Sequence, residues 1–338
     1  MNFHEDIDCI ICGNDKRVNL SSSGRYNEKL NTVICSNCGL IHSSPIPSEK
    51  ELENFYKNEY RLNYKASFQP KMKHTIRYAS GSIYHFKNMM KYIKESKNKS
   101  FLDIGAGSGE ILYFAKRQGF KILGIEPNNG YASYCKDTLK LPIVNNVYEK
   151  SNIKKNSYDV IHLNEVLEHM RDPITVLNDI YSFLKPNGIT FINVPDIELD
   201  MHAPSTRFHY AHIYNYNHIT LKKLIQKCGF EILNLGSSTT KIVAKKNLSN
   251  KENQDISLDG NFNKLYNKLK SRKDVYYSLT VAPIRIIKKL FLYPKEIIQT
   301  RIFYRDTISI LDNIYNKGKA DLMFRIVKNF NDRKIKYD

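Results

Sequence analysis

The 338-residue chain is 41% hydrophobic and 25% charged, which excludes a disordered polymer and leaves room for one large domain with one or two small ones. No apolar run is long enough to span a bilayer, and the opening MNFHEDIDCI lacks a basic region ahead of an apolar core, so a cytoplasmic protein is expected. The net charge is +18, and residues 241–338 supply +12 of it, from 22 Lys/Arg against 10 Asp/Glu. Such a surface can serve nucleic acid or anionic lipid, and a lysine-rich codon bias explains it equally well.

Residues 1–45 carry the pairs CIIC (Cys9, Cys12) and CSNC (Cys35, Cys38), while Cys135 and Cys228 stand alone. In a reducing compartment two such pairs point to a metal rather than to disulfides. Thiolates two residues apart reach one ion from a single turn, and two turns complete a tetrahedral Zn²⁺ site with Zn–S of about 2.3 Å. The 22 residues between Cys12 and Cys35 suffice for a hairpin, so a zinc ribbon is expected. Four thiolates leave no open position, which makes the ion structural and leaves His42 out.

Residues 46–98 lack strand alternation. Ser48 followed by Glu51 is a capping box, and Phe55, Tyr56, Tyr60 and Tyr64 recur at helical spacing. A second helix is expected from Ser82 to Lys94. Two helices ahead of a binding domain form either a local core or a lid.

Residues 99–246 alternate apolar runs with helical patterns. Strands are expected at 100–104, 121–126, 142–147, 158–163, 188–194, 230–236 and 240–245, with helices over 109–118, 130–139, 172–184 and 219–228. That order predicts an α/β fold: a doubly wound, seven-stranded, mostly parallel, Rossmann-like sheet. Residues 247–338 form a basic helical extension. Ile284, Ile287 and Phe291 share a face beside Arg285, Lys288 and Lys289, and Pro294 interrupts the pattern. The segment 281–305 is expected to pack on its own core, with peripheral contact to the inner membrane face as the alternative.

The first strand leads into Gly105-Ala106-Gly107-Ser108-Gly109. A dinucleotide fingerprint needs G-x-G-x-x-G, and here Glu110 holds the third place after Gly107. A carboxylate there repels pyrophosphate and tolerates a ligand bearing ammonium and sulfonium groups. Glu126 ends the second strand 21 residues past Gly105, placed to accept two ribose hydroxyls.

FLDIGAGSG, GIEPN, NSYDVIHLNEVLEHMRDP, GITFINVPD and NHITLKKLIQKCGFEI together resemble the motifs of class I S-adenosylmethionine-dependent methyltransferases. The resemblance implies that Asp103, Gly105, Ala106, Gly107 and Gly109 surround the methionine part of the cofactor. Glu126 and the adjacent Pro127 take the ribose, Tyr148 and Glu149 contact adenine, and Asn164 and Glu165 lie under the methionine tail. The leader CIICG…CSNCGLIHSSPIPSEKELENFYKNEY is similar to the zinc ribbon on a bacterial branch of these enzymes that tailors sugars, surface polysaccharides and related small molecules.

Such an enzyme places its acceptor beside the cofactor, and a hydroxyl acceptor needs a base. His169 follows the fourth strand and His209 and His212 follow the fifth; His212 is expected to be the base, with His169 second. The expected function is methylation of a small-molecule or glycan acceptor. RNA methylation is the first alternative, and a non-catalytic cofactor-binding subunit of an assembly is the second. Against methylation of base amines, Asn164-Glu165-Val166-Leu167 replaces the Asn/Asp-Pro-Pro-aromatic motif.

Overall fold

Two sheets organise the chain in the computed structural model, which describes residues 7–25, 28–55, 69–93, 95–148, 151–199, 202–247, 255–287, 290–291 and 293–318. The larger has seven strands: Ser100–Ile104 (β4), Lys121–Ile125 (β5), Ile143–Val144 (β6), Tyr158–Asn164 (β7), Leu184–Asn193 (β8), Phe230–Ile232 (β10) and Lys241–Lys246 (β11). Their order is β10-β11-β8-β7-β4-β5-β6. β4, β5 and β6 run parallel, as do β7 and β8, whereas β11 pairs antiparallel with β8 and with β10. This is a mixed, Rossmann-like sheet with the seven strands that the alternating pattern predicts.

The chain divides into two compact units, residues 67–147 with 289–338 and residues 1–66 with 148–288. In the first, β4 and β5 are joined by the helix Glu110–Arg117, whose buried Ile111, Leu112, Phe114 and Ala115 cover the sheet. The helix over Thr75–Met90 packs against it through Phe86 and Phe114, whose ring centroids are 6.2 Å apart. That helix starts seven residues ahead of the expected Ser82, because Gly81 is accepted mid-helix with nothing crowding it. The strand expected over 142–147 shrinks to β6. Asn145 leaves the ladder to donate through its side chain to the carbonyls of Glu126 and Pro127 at 3.0 and 3.3 Å.

In the second unit the N-terminal segment forms an antiparallel sheet from Arg17–Ser23 (β1), Lys29–Cys35 (β2) and Ile41–Ser43 (β3). Its fourth strand comes from far along the chain: Tyr214–Asn215 (β9) pairs with β3 through Ile41↔Asn215 and His42↔Tyr214. Leu30, Ile34 and Ile41 pack with Ile197, Phe208, Leu265 and Leu269, the last two from the helix Asn261–Ser271. A separate core thus ties the first and last parts of this unit together. At Glu49–Asn54 the capping box forms as expected, with Glu51 accepting from the Ser48 amide at 2.9 Å. Tyr56, Tyr60 and Tyr64 lie outside the described residues.

The apolar face expected to pack inward is exposed. In the helix Asp274–Ile287, Ile284 and Ile287 are more than half exposed. In the other unit Phe291 and, within the helix Tyr293–Phe303, Ile302 and Phe303 are exposed as well. Pro294 stands in the first turn of that helix, where the missing N–H costs no hydrogen bond. Among the described residues no helix is long and apolar enough to cross a membrane.

Candidate active site

The glycine turn occupies the carboxyl end of β4. The Gly105 and Ala106 amides both donate to the Ile125 carbonyl at 2.9 Å, so the turn is fixed to the neighbouring strand. Gly107 has φ +55°, and a Cβ placed there would meet only the Gly105 carbonyl at 4.0 Å. The backbone at Gly107 is therefore open to a ligand. Gly109 is glycine for a different reason: at φ +81° a Cβ would lie 2.8 Å from Cys135 Sγ and 3.0 Å from Leu141.

Glu126 is 2% exposed, and its carboxylate accepts from the Gly107 amide at 2.9 Å and from the Asn128 amide at 3.0 Å. It therefore holds the glycine turn in place, a duty that no sequence pattern announced. Asn128 then caps the helix Asn129–Ser133, accepting from the Tyr131 amide at 3.1 Å. Glu110 opens its helix as expected, and Ser108 donates to its carboxylate at 2.8 Å. Asp103 is buried and Pro127 half-buried.

The other expected cofactor residues belong to the second unit. Tyr148 is buried, packs on Phe183 and donates its hydroxyl to Asp179. Glu149 lies outside the described residues. Asn164 ends β7 and accepts from the Asn193 side chain at 2.8 Å. Glu165 is exposed, adopts a left-handed φ of +54° and donates its amide to the Asn193 carbonyl at 2.8 Å. That strained step turns the chain sharply out of β7.

The three expected histidines converge. His209 and His212 have ring centroids 3.8 Å apart, and His169 lies 4.9 Å from His212. Between them sits Glu168, 1% exposed, which sequence reading passed over. Its Oε1 is 3.7 Å from His169 Nε2 and 3.9 Å from His212 Nε2. Its position inside VLEHM was visible; its burial was not. Desolvation, with the nearby Glu165 charge, raises the Glu168 carboxyl well above its usual range. Burial likewise pushes the His212 imidazole well below 6.5 and takes His209 down to about 2. Both rings are neutral at physiological pH.

The histidine loop is held by the N-terminal sheet. Beyond the β3–β9 pairing, the Ser43 amide donates to the Ile213 carbonyl at 2.9 Å. Glu28 accepts from the Tyr210 amide at 3.0 Å, and Arg25 donates to the Thr206 carbonyl at 3.0 Å.

The four leader cysteines form a cluster whose Sγ atoms lie within 4.8 Å of one another, with Cys9–Cys38 at 3.3 Å and Cys12–Cys35 at 3.6 Å. A tetrahedral Zn²⁺ with bonds of about 2.3 Å needs sulfurs about 3.8 Å apart, so the residues fit the ion after slight expansion. Mutual hydrogen bonding holds Cys35 down and pushes Cys9 up to about 12, as expected of thiols sharing a space that cannot hold four negative charges unaided. From below, Lys227 of the helix His218–Lys227 donates to the carbonyls of Ile10 and Ile11 at 2.8 and 3.2 Å. On the other side Asn261 donates to the Cys38 carbonyl at 2.7 Å.

A family model described as a methyltransferase domain matches residues 73–235. That stretch matches a methyltransferase domain and includes every strand of the larger sheet except β11. It covers a little under half of the chain, and the N-terminal ribbon lies outside it. The domain is similar to the ubiquinone biosynthesis O-methyltransferase of Histophilus somni, 26% identical over 118 residues, 31% of this chain and 50% of that protein. The protein of the same name from Aliivibrio fischeri is 29% identical over 114 residues, covering 31% of this chain and 49% of that one. The chain thus spans about half the length of the curated relatives it matches. Among solved structures, an S-adenosylmethionine-dependent methyltransferase from Mesorhizobium loti is similar with a TM-score of 0.38 and 11% identity, over 47% of this chain and 95% of that one.

Proposed function

We propose that the protein transfers a methyl group from S-adenosylmethionine to an oxygen of a small molecule or glycan precursor, such as a sugar, a nucleotide sugar or a surface-polysaccharide unit. One observation carries the reading: the buried Glu126 carboxylate fixes the Gly107 amide beneath a glycine that leaves its backbone open to a ligand. When bound, the sulfonium supplies an electrophilic methyl carbon. Glu126 binds the ribose, the Gly105–Gly109 backbone and Asp103 take the methionine part, and Glu110 disfavours a phosphate-bearing competitor. Asn164 and Glu165 lie under the methionine tail, and Tyr148 and Glu149 are assigned to adenine; for Tyr148 the hydroxyl is engaged by Asp179, leaving the ring as its contribution.

The acceptor docks against the histidine loop. A neutral His212 imidazole accepts the hydrogen bond of its hydroxyl and receives the proton, with His169 and His209 beside it. For His169 a structural duty is also plain, since its Nδ1 donates to the Ala211 carbonyl at 2.6 Å. Cys9, Cys12, Cys35 and Cys38 bind a structural Zn²⁺ that braces this loop through β3. The small-molecule acceptor is supported by the O-methyltransferase names of the relatives.

The test is to incubate the zinc-loaded protein with methyl-labelled S-adenosylmethionine and fractionated cell extract. Label in nucleotide sugars, glycan or another low-mass fraction is expected. Label confined to RNA would overturn the acceptor class, and absence of any calorimetric heat with the cofactor would overturn the reading altogether. For the base, His212→Ala is expected to cut turnover far more than cofactor affinity; equal loss of both rejects it.

A further inference from the structure

Glu168 presents a physical problem that the methyl-transfer reading leaves unsolved. The side chain is 1% exposed, yet neither carboxylate oxygen has a hydrogen-bond partner among the described residues. A buried ionised carboxylate without partners costs several kcal/mol, and native structures seldom carry one unexplained. Protonation does not resolve it, because the resulting O–H would also lack an acceptor. His169 Nε2 at 3.7 Å and His212 Nε2 at 3.9 Å both lie beyond hydrogen-bond reach of the carboxylate. The Tyr216 hydroxyl is also buried without a partner, and its ring feels the Glu168 charge. The cluster is short of one polar occupant.

We propose that Glu168, His169 and His212 bind a divalent transition-metal ion, distinct from the ion of the four cysteines. The three side chains each offer a ligand atom, all within 4.8 Å of one another. Bonds of about 2.1 Å place neighbouring ligands about 3.0–3.4 Å apart, so closing on an ion needs shifts of a few tenths of an ångström to each side chain. The tautomer is already set. His169 Nδ1 donates to the Ala211 carbonyl at 2.6 Å, which leaves the Nε2 lone pair facing Glu168. An outer hydrogen bond of this kind orients metal-bound imidazoles generally. The backbone supports the set as well. The short turn Leu167–His169 brings Glu168 and His169 together, and the Ser43–Ile213 bond fixes the residue after His212.

Two imidazoles with one carboxylate suit Mn²⁺, Fe²⁺, Co²⁺ or Zn²⁺ rather than Ca²⁺, which takes oxygen ligands. Three protein ligands leave at least one position open, unlike the closed cysteine site. If the methyl-transfer reading holds, an ion there would make the acceptor hydroxyl more acidic, and, with His212 ligating, the His209 ring 3.8 Å from it would take the proton that the reading assigns to His212. Ion binding itself does not depend on that reading.

Mn²⁺ tests the site, because it is the weakest binder of thiolates in its series and leaves a zinc-loaded cysteine cluster intact. Mn²⁺ is titrated into the full-length protein after mild chelation, and free ion is read by electron paramagnetic resonance, with zinc content measured before and after. One saturable Mn²⁺ per chain is expected beside one retained zinc. Glu168→Gln and His212→Gln are each expected to weaken Mn²⁺ about tenfold or more while circular dichroism stays unchanged. No saturable binding to the wild type, or binding unchanged in both variants, overturns the proposal. Calorimetry with S-adenosylmethionine on the same sample separates the two claims: cofactor heat without Mn²⁺ binding rejects the ion alone, and Mn²⁺ binding without cofactor heat rejects the methyl-transfer reading alone.

Discussion

The glycine turn is shaped by groups from residues 105–145, whereas the histidine loop is held by residues from positions 25 to 43. In the first region the strand, the bend, the acid and the asparagine that steadies it follow one another along the chain. In the second, Glu28, Arg25, Ser43 and β3 reach across some 170 positions to pin Thr206, Tyr210, Ile213 and β9. A local site tolerates divergence elsewhere; a stitched one depends on each distant partner. On the proposed function, the glycine turn that would take the cofactor is a local structure, and the loop that would take the acceptor is held by the leader.

The sharpest way to break this contrast is to remove the zinc ion proposed for the four cysteines. Cys35→Ala, or stripping zinc with a strong chelator, is expected to abolish turnover and exchange protection at Val33, Ile34 and Ile213 together, since a structural zinc is worth about 10–16 kcal/mol in small fingers. Cofactor heat should persist in the same sample; its parallel loss would show that the two regions are not separable. Gly109→Val comes next and strikes the other side. A branched side chain at φ +81° against Cys135 and Leu141 is expected to cost about 2–4 kcal/mol in urea unfolding and to remove cofactor binding. Glu126→Ala is milder. It removes two hydrogen bonds to backbone amides, so cofactor affinity should fall by about 1–3 kcal/mol in calorimetry with a small change in the thermal midpoint. Smallest is Asn261→Ala. This buried amide bridges the Cys38 carbonyl and the Asn217 side chain, and its loss should cost about 1–2 kcal/mol of stability while leaving cofactor affinity untouched.

What the sequence revealed follows the same division. Strand–helix alternation predicted the seven-stranded sheet, and the β4, β5 and β7 boundaries agree with it to within a residue because uninterrupted apolar runs mark buried parallel strands. Ser48 and Glu51 predicted their cap, which is a wholly local device. The strand over 142–147 was over-read because nothing in its composition shows that the Asn145 side chain serves Glu126. The apolar face at Ile284 and Ile287 predicts burial by periodicity, and periodicity is blind to whether any surface stands opposite. Glu168 escaped notice for a related reason: in a linear reading it is one more acid in a helix-like stretch. Only the chain's return at Ala211 and His212 brings the His212 ring to it and fixes the His169 ring beside it.

The pairing of His42 with Tyr214 also sets a schedule for synthesis. A nascent chain emerging from the ribosome at about 5–20 residues per second reaches Tyr214 roughly 9–35 s after His42. Throughout that interval β3 presents an unpaired edge to every other emerging chain. If the four cysteines bind the proposed zinc, early metal loading would shorten the exposure of the rest of that sheet, and a cell starved of zinc should accumulate this protein as aggregate.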